Sequence, residues 1–136
     1  MIIDKYTDRN FKVQVGRKTA LGSYEVIPVV SHAKFHRAMG AVAIASTLAP
    51  GVAWQLEEIR VHLSAVGAAG DLTGTLDHGA GAAYDLVILT QDMTAATDFI
   101  WHCERPMEFG ADDELDIAWA NASTRTYGLE IVWKSI

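Results

Sequence analysis

The chain has 136 residues, half of them hydrophobic, with a formal net charge of −6 and a pI near 5.2. That length suits one domain with one core. The acidic balance and the scattered Lys and Arg argue against nucleic-acid binding, which needs a basic stripe to meet phosphates. A single cysteine, Cys103, leaves no internal disulfide and is expected to be a small buried hydrophobe rather than a nucleophile.

The first ten residues, MIIDKYTDRN, carry charges at positions 4, 5, 8 and 9 and no long apolar core. We therefore expect no signal peptide. No segment approaches the roughly 18 apolar residues that a membrane span needs, so no membrane partner is predicted either. Synthesis in a cytoplasm is expected.

Residues 1–24 differ from the rest of the chain in charge. Acidic residues predominate in 25–136, whereas basic residues predominate in 1–24, namely Lys5, Arg9, Lys12, Arg17 and Lys18. The apolar residues of this segment are spaced too loosely for a core of their own. We predict an extended arm over 1–24 and a β-sandwich domain over 25–136. The alternative is that 1–24 supplies one more edge strand.

The remainder is predicted to form strands separated by turn residues. Two strands are expected upstream, YEVIPVV at 24–30 and AVAIAST at 41–47. Six more follow, and most alternate between apolar and polar residues, as half-buried strands do; they are WQLEEIRVHLS, LTGTLDH, YDLVILTQ, DFIWHCE, ELDIAWA and YGLEIVW. The unbroken apolar runs at 86–89 and 99–101 predict strands covered on both faces.

The alternation in WQLEEIRVHLS slips by one residue at Glu57–Glu58, which predicts a β-bulge. Apart from that slip, the period-two pattern assigns the following core: Leu56, Ile59, Val61, Leu63, Leu86, Ile88, Leu115, Ile117, Leu129 and Ile131. No convincing amphipathic helix separates the strands, so a parallel sheet is not expected. The predicted fold is all-β, an antiparallel jelly-roll-like sandwich of about eight strands.

The glycine-rich stretch TLDHGAGAAYD raises the question of a phosphate site. A phosphate-binding loop needs a Lys followed by Ser or Thr at the start of a helix, and this stretch has neither. A turn between strands, with glycines at positive φ, is the prediction. Asp77 and His78 are neighbours and point to opposite sides of a strand, so a metal site with Asp85 is not expected.

Two further clusters contain residue types that can bind metal ions. His32 and His36 are predicted to be solvent-facing strand residues, too far apart to share an ion. The stretch GADDELD lacks the alternate spacing of an EF-hand, so Asp112, Asp113, Glu114 and Asp116 are interpreted as an acidic hairpin turn.

Catalytic patterns are equally absent from the sequence. There is no nucleophile elbow, and Glu57 and Glu58 face opposite sides of a strand, unlike a glycosidase pair. Trp54, Trp119 and Trp133 fall in phase with aliphatic residues, which favours packing over sugar binding. We predict no enzyme activity, no catalytic residue, and no metal or organic cofactor.

The pattern over about 53–134, with DFIWHCERPMEF and DDELDIAWANASTRTYGLEIVW, resembles small structural proteins of tailed bacteriophages, of the capsid-associated decoration type. The resemblance implies a virion component, found in the host cytoplasm during assembly. It implies binding to the major capsid protein or other virion proteins. A homotrimer is predicted on separate grounds: Val87 and Leu89 point opposite to Leu86 and Ile88, and a two-layer sandwich covers only one face of each sheet. The expected role is a head decoration protein that braces the capsid. The alternative is a tail, baseplate or fibre component that binds host-surface carbohydrate.

Overall fold

The structure is a computed structural model that describes residues 16–18, 24–26 and 32–136. The chain divides into two compact units, residues 1–31 and residues 32–136. In the first unit, β1 (Gly16–Lys18) pairs antiparallel with β2 (Tyr24–Val26). Otherwise, the predicted arm over 1–24 and the predicted strand over 24–30 lie outside the described residues.

The second unit is built from strands joined by short turns. Its eight strands are β3 (Lys34–Gly40), β4 (Ile44–Leu48), β5 (Trp54–Leu63), β6 (Asp71–Asp77), β7 (Leu86–Asp92), β8 (Asp98–Phe109), β9 (Glu114–Trp119) and β10 (Tyr127–Ser135). One 3₁₀ helix, Ala82–Tyr84, lies between β6 and β7. The described residues form no α-helix, and the predicted all-β fold is confirmed.

The strands form two antiparallel four-stranded sheets. The first sheet has the order β3-β10-β5-β8, and the second has the order β4-β9-β6-β7. Strand β3 pairs with β10, β4 with β9, β5 with β8 and β6 with β7, so the first four strands meet the last four in reverse order. This nested pairing is that of a long hairpin wrapped into two sheets, and the fold is therefore a jelly roll.

The core lies between the two sheets and comes from alternate residues of each strand. Eight of the ten predicted core residues are buried, and they are Leu56, Ile59, Val61, Leu63, Leu115, Ile117, Leu129 and Ile131. Trp54 is also fully buried and stacks on Phe109, with ring centroids 4.1 Å apart. Because apolar side chains gain most by leaving water, this alternation fixes which face of each strand turns inward.

The predicted burial of Leu86 is wrong, because this side chain is 58% exposed. Strand β7 is an edge strand, and Leu86 is its first residue, so no strand covers it on the outer side. Ile88 lacks a partner in β6, since Gly74 pairs with Leu89 and Thr75 with Val87. This bulge leaves Ile88 half-buried and places Leu89 in the core.

The prediction that the continuous apolar runs belong to strands covered on both faces is also wrong. Both β7 and β8 are edge strands, and Val87 and Ile100 are 54% and 59% exposed. The bulge predicted at Glu57 is confirmed, because the registers of β5 with β10 and with β8 both shift there. The sandwich begins with Lys34–Gly40, a strand whose outward apolar residues, Phe35 and Met39, obscure its pattern.

Candidate functional site

The outer faces of the two sheets are the broadest candidate surfaces, and they differ in charge. The outer face of the first sheet is here called the paired face, and its central charged residues are Arg37, Glu58, Arg60, His62, Asp98, His102 and Glu130. They lie in adjacent positions of β3, β10, β5 and β8, because Arg37 pairs with Glu130, Glu130 with Arg60, and Glu58 with His102.

The carboxylate of Glu130 lies between two guanidinium groups. Its Oε2 accepts a hydrogen bond from Arg37 Nε at 2.5 Å, and its Oε1 accepts one from Arg60 Nη1 at 2.6 Å. The Arg37 hydrogen bond in particular, together with both positive charges, lowers the pKa of Glu130 below its ordinary value. Glu130 is therefore ionised and fully paired at neutral pH.

The other central carboxylates of the paired face also have cationic or imidazole partners. Glu58 bonds to Arg60 and lies 2.7 Å from His102 Nδ1. Asp98 lies 2.7 Å from His62 Nδ1, and this hydrogen bond lowers the pKa of Asp98. The centre of the paired face is therefore electrostatically satisfied by its own side chains.

The outer face of the second sheet is here called the acidic face, and its charged residues are Asp71, Asp77, Asp92, Glu114 and Asp116. They alternate with inward-facing core residues such as Leu72, Leu115 and Ile117. The four strands of this sheet contain no Lys, Arg or His. None of the five carboxylates forms an ion pair with any described residue.

Four of these carboxylates form two like-charged pairs across neighbouring strands. Asp71 lies directly opposite Asp92, and Asp77 lies directly opposite Glu114. Like charges in that position destabilise a sheet. Asp116, between them, accepts a hydrogen bond from the hydroxyl of Thr47, which carries no charge. The acidic face therefore holds negative charge that the described residues do not compensate.

Most of the other side chains on the acidic face are small. One row across the four strands consists only of Ala and Thr, namely Ala45, Ala118, Thr73 and Thr90. A shallow depression of about 330 Å³ lies beside this row, next to Asp71, Ala43 and Ala120. With no large side chain standing above the row, another polypeptide can approach the sheet closely.

The glycine-rich stretch forms a turn, as predicted, and hydrogen bonds to Asp113 connect this turn to the loop between β8 and β9. The carboxylate of Asp113 accepts hydrogen bonds from the N–H groups of Gly79 at 2.9 Å and Gly110 at 2.8 Å. These bonds lower the pKa of Asp113. A Cβ at Gly79 would lie 2.7 Å from the carbonyl oxygen of Asp112, so only glycine fits there. Gly81 has a φ of 112°.

Metal-ligating side chains do not converge among the described residues, where no group of three or more His, Cys, Asp or Glu side chains could hold an ion. Asp85 accepts a hydrogen bond from the N–H of His78, and the His78 ring lies 3.9 Å from Asp113. The acidic turn was predicted to contain Asp112, Asp113, Glu114 and Asp116. Only Asp112 and Asp113 lie in the turn, whereas Glu114 and Asp116 belong to β9.

The prediction for His36 is wrong, because its ring faces the interior and is half-buried. Its Nε2 lies 2.9 Å from Ser46 Oγ on the second sheet. Phe35 and Met39 occupy the outward positions of this strand, so its polarity is inverted. His32 precedes the strand and is exposed.

Cys103 lies beside a small cavity of about 120 Å³ lined by Glu57, Pro106 and Lys134. Burial first, and the charge of Glu57 second, raise the pKa of its thiol to about 11. The thiol is therefore protonated at neutral pH, the opposite of what an attacking thiolate requires. Trp54 and Trp119 are buried, as the packing interpretation predicts, whereas Trp133 is half-buried.

No family model, curated protein or solved structure matches the chain. Among the described residues, no helix has the length and apolar character needed to cross a membrane. The charge distribution on the two outer faces is therefore the main guide to function. Sequence reasoning missed the acidic face because its five residues come from three separate strands, and only the sheet order brings them together.

Proposed function

We propose that the protein is a non-enzymatic structural component of a tailed-bacteriophage virion, where it acts as a head decoration protein that braces the capsid. The acidic face is the observation that carries this proposal. It is broad and shallow, it has small side chains, and its five carboxylates form no ion pair with a described residue. Such a surface suits a basic polypeptide from another chain in the assembly better than it suits an enclosed small molecule.

The fold also favours a role in a virion. Jelly rolls recur in viral capsid proteins and in lectins, and this chain has the nested strand pairing of that fold. A fold by itself does not determine function, so the argument depends on the surface. The resemblance of residues 53–134 to phage decoration-type proteins adds to it.

Self-association into a homotrimer is part of the proposal. Leu86, Val87 and Ile100 are all more than half exposed, and they lie on the edge strands β7 and β8. Exposed edge strands with apolar side chains favour pairing with another chain and can cause aggregation. Pairing with a specific partner chain would prevent that aggregation. The major capsid protein or another virion protein would meet the remaining surface.

A second candidate function is carbohydrate binding within a tail, baseplate or fibre. One observation favours it: Tyr84, at 65% exposure, lies beside Asp85 and has its ring 5.9 Å from that of His78. An aromatic face with a nearby carboxylate can stack on a sugar and bind its hydroxyl groups. A glycan array would support this function if wild-type protein bound and Tyr84→Ala did not.

The test of the main proposal is to locate the chain in purified phage particles. Electron microscopy of the particles should show density for the jelly roll on the head exterior, and mass spectrometry should detect the chain there. Density on the tail would favour the second function. Absence of the chain from the particles would contradict both.

A further inference from the structure

We infer that the acidic face is the docking surface for residues 1–24 of a second copy of the chain. The inference rests on the proposed function, to which it adds the contact that links neighbouring copies. The partner is therefore a basic polypeptide segment of known sequence, supplied by the protein itself.

Charge complementarity identifies this occupant. The acidic face presents five carboxylates and no cation. Residues 1–24 contain five Lys and Arg against two Asp, an excess of three basic residues, whereas the whole chain has an excess of six acidic residues. Opposite potentials of this kind set the specificity and the rate of association between proteins.

The cross-strand carboxylate pairs supply a thermodynamic reason. Asp71 opposes Asp92, and Asp77 opposes Glu114, and none of the four forms an ion pair within the part of the chain that the structure describes. A Lys or Arg placed over either pair would turn repulsion into attraction. On the paired face the protein provides such cations itself, as Arg60 does for Glu58 and Glu130. The strands of the acidic face contain no such cations, so a bound segment would have to supply them.

The connection of the chain favours a neighbouring copy as the source of the segment. The chain enters the sandwich at Lys34, in β3, which is an edge strand of the first sheet. The acidic face lies on the other sheet and points away from it. Because the acidic face belongs to the sheet opposite β3, we assign the segment to the acidic face of a second copy.

Charge reversal tests the inference with the full chain. The face variant carries Asp77→Lys and Glu114→Lys, and the segment variant carries Lys5→Glu, Arg9→Glu and Lys12→Glu. Sedimentation velocity should show weaker self-association for each variant alone than for the wild type, because segment and face then carry the same charge. An equimolar mixture should restore association, because each segment then meets a face of opposite charge. The matched control, Glu104→Lys with Glu108→Lys, reverses two exposed carboxylates of β8 and should still self-associate like the wild type.

The remaining outcomes are equally decisive. Wild-type association should weaken by at least about tenfold in its dissociation constant from low to high salt, because salt screens exposed charges. Self-association as strong as that of the wild type in either variant alone, or a mixture that associates no more strongly than its components, would overturn the inference. If the face variant fails to melt cooperatively, Asp77→Asn with Glu114→Gln replaces it, and loss of wild-type association is then the required result.

The inference and the proposed function can fail separately. Chains that associate through this contact in solution yet are absent from phage particles would refute the virion role alone. Chains that are present in particles, and whose face variant is incorporated as well as the wild type, would refute the docking surface alone.

Discussion

The two outer faces of this jelly roll cover the same core but differ in how their carboxylates are paired. On the paired face, Glu130 lies between Arg37 and Arg60, and Glu58 between Arg60 and His102. On the acidic face, carboxylates oppose carboxylates. The carboxylates at the centre of the first face are paired with its own cations and imidazoles, whereas those of the second form no ion pair with a described residue. Unpaired charge on an otherwise well-packed sheet is therefore our guide to an interface.

The largest expected change in the free energy of unfolding comes from substitutions in the core that both faces share. Ile117 lies beneath the acidic face and Ile131 beneath the paired face, and both are fully buried. Changing either residue to Ala should lower the free energy of unfolding by about 2–5 kcal/mol, through lost burial and a cavity. Denaturant titration measures this loss. Ile136→Ala, at the exposed C-terminus, is the control, and a loss of similar size there would contradict the shared core.

A smaller loss of stability is expected from a substitution on the paired face. Glu130→Gln removes the charge from a carboxylate that two guanidinium groups share, and it should lower the free energy of unfolding by about 1 kcal/mol. Glu108→Gln, on an exposed carboxylate of β8 that forms no ion pair with a described residue, should change it by less than about 0.5 kcal/mol. Equal results for the two variants would show that the paired network contributes nothing.

On the acidic face the same chemical change should have the opposite sign. Asp77→Asn removes one charge from the pair with Glu114, so the dissociated monomer should become more stable by about 0.2–1 kcal/mol. Urea titration at a concentration where the chain is monomeric provides the measurement. If Asp77→Asn destabilises the monomer as Glu130→Gln does, the two faces do not differ in the way described.

The smallest effect is the pH dependence of the paired face. The pKa of Glu130 is lowered from its ordinary value of 4.5, chiefly by the Arg37 hydrogen bond. A lowered folded pKa adds stability that is complete above the unfolded pKa and is lost as the pH falls through the folded pKa. Melting temperature should therefore be level near neutral pH and decline below about pH 4.5. Glu130→Gln should decline less steeply, and an unchanged slope would remove Glu130 from the explanation.

The sequence predicted the layers of the fold well but could not predict the two faces. Period-two alternation identified the inner residues of β5, β9 and β10, and the phase slip identified the bulge at Glu57. Alternation says which side of a strand a residue occupies, but it does not say which strands are neighbours. Asp77 and Glu114 become opposite residues only through long-range pairing of β6 with β9.

The failures at the sheet edges have a related cause. An unbroken apolar run has no period, so it cannot distinguish a covered strand from an edge strand. Leu86 and Ile100 are exposed because β7 and β8 end their sheets, which local sequence does not encode. The inverted polarity of β3, with His36 inside and Met39 outside, belongs to an edge strand as well.

The central claim is that the acidic face receives the basic segment of a neighbouring copy, and zero-length cross-linking tests it most directly. Copies with natural nitrogen and copies labelled with ¹⁵N would be mixed and treated with a carbodiimide, which joins amines to carboxylates in contact. Mass spectrometry should then find Lys5, Lys12 or Lys18 of one isotope joined to Asp77 or Glu114 of the other. Cross-links confined to single copies, or directed to Glu104 and Glu108 instead, would contradict the account.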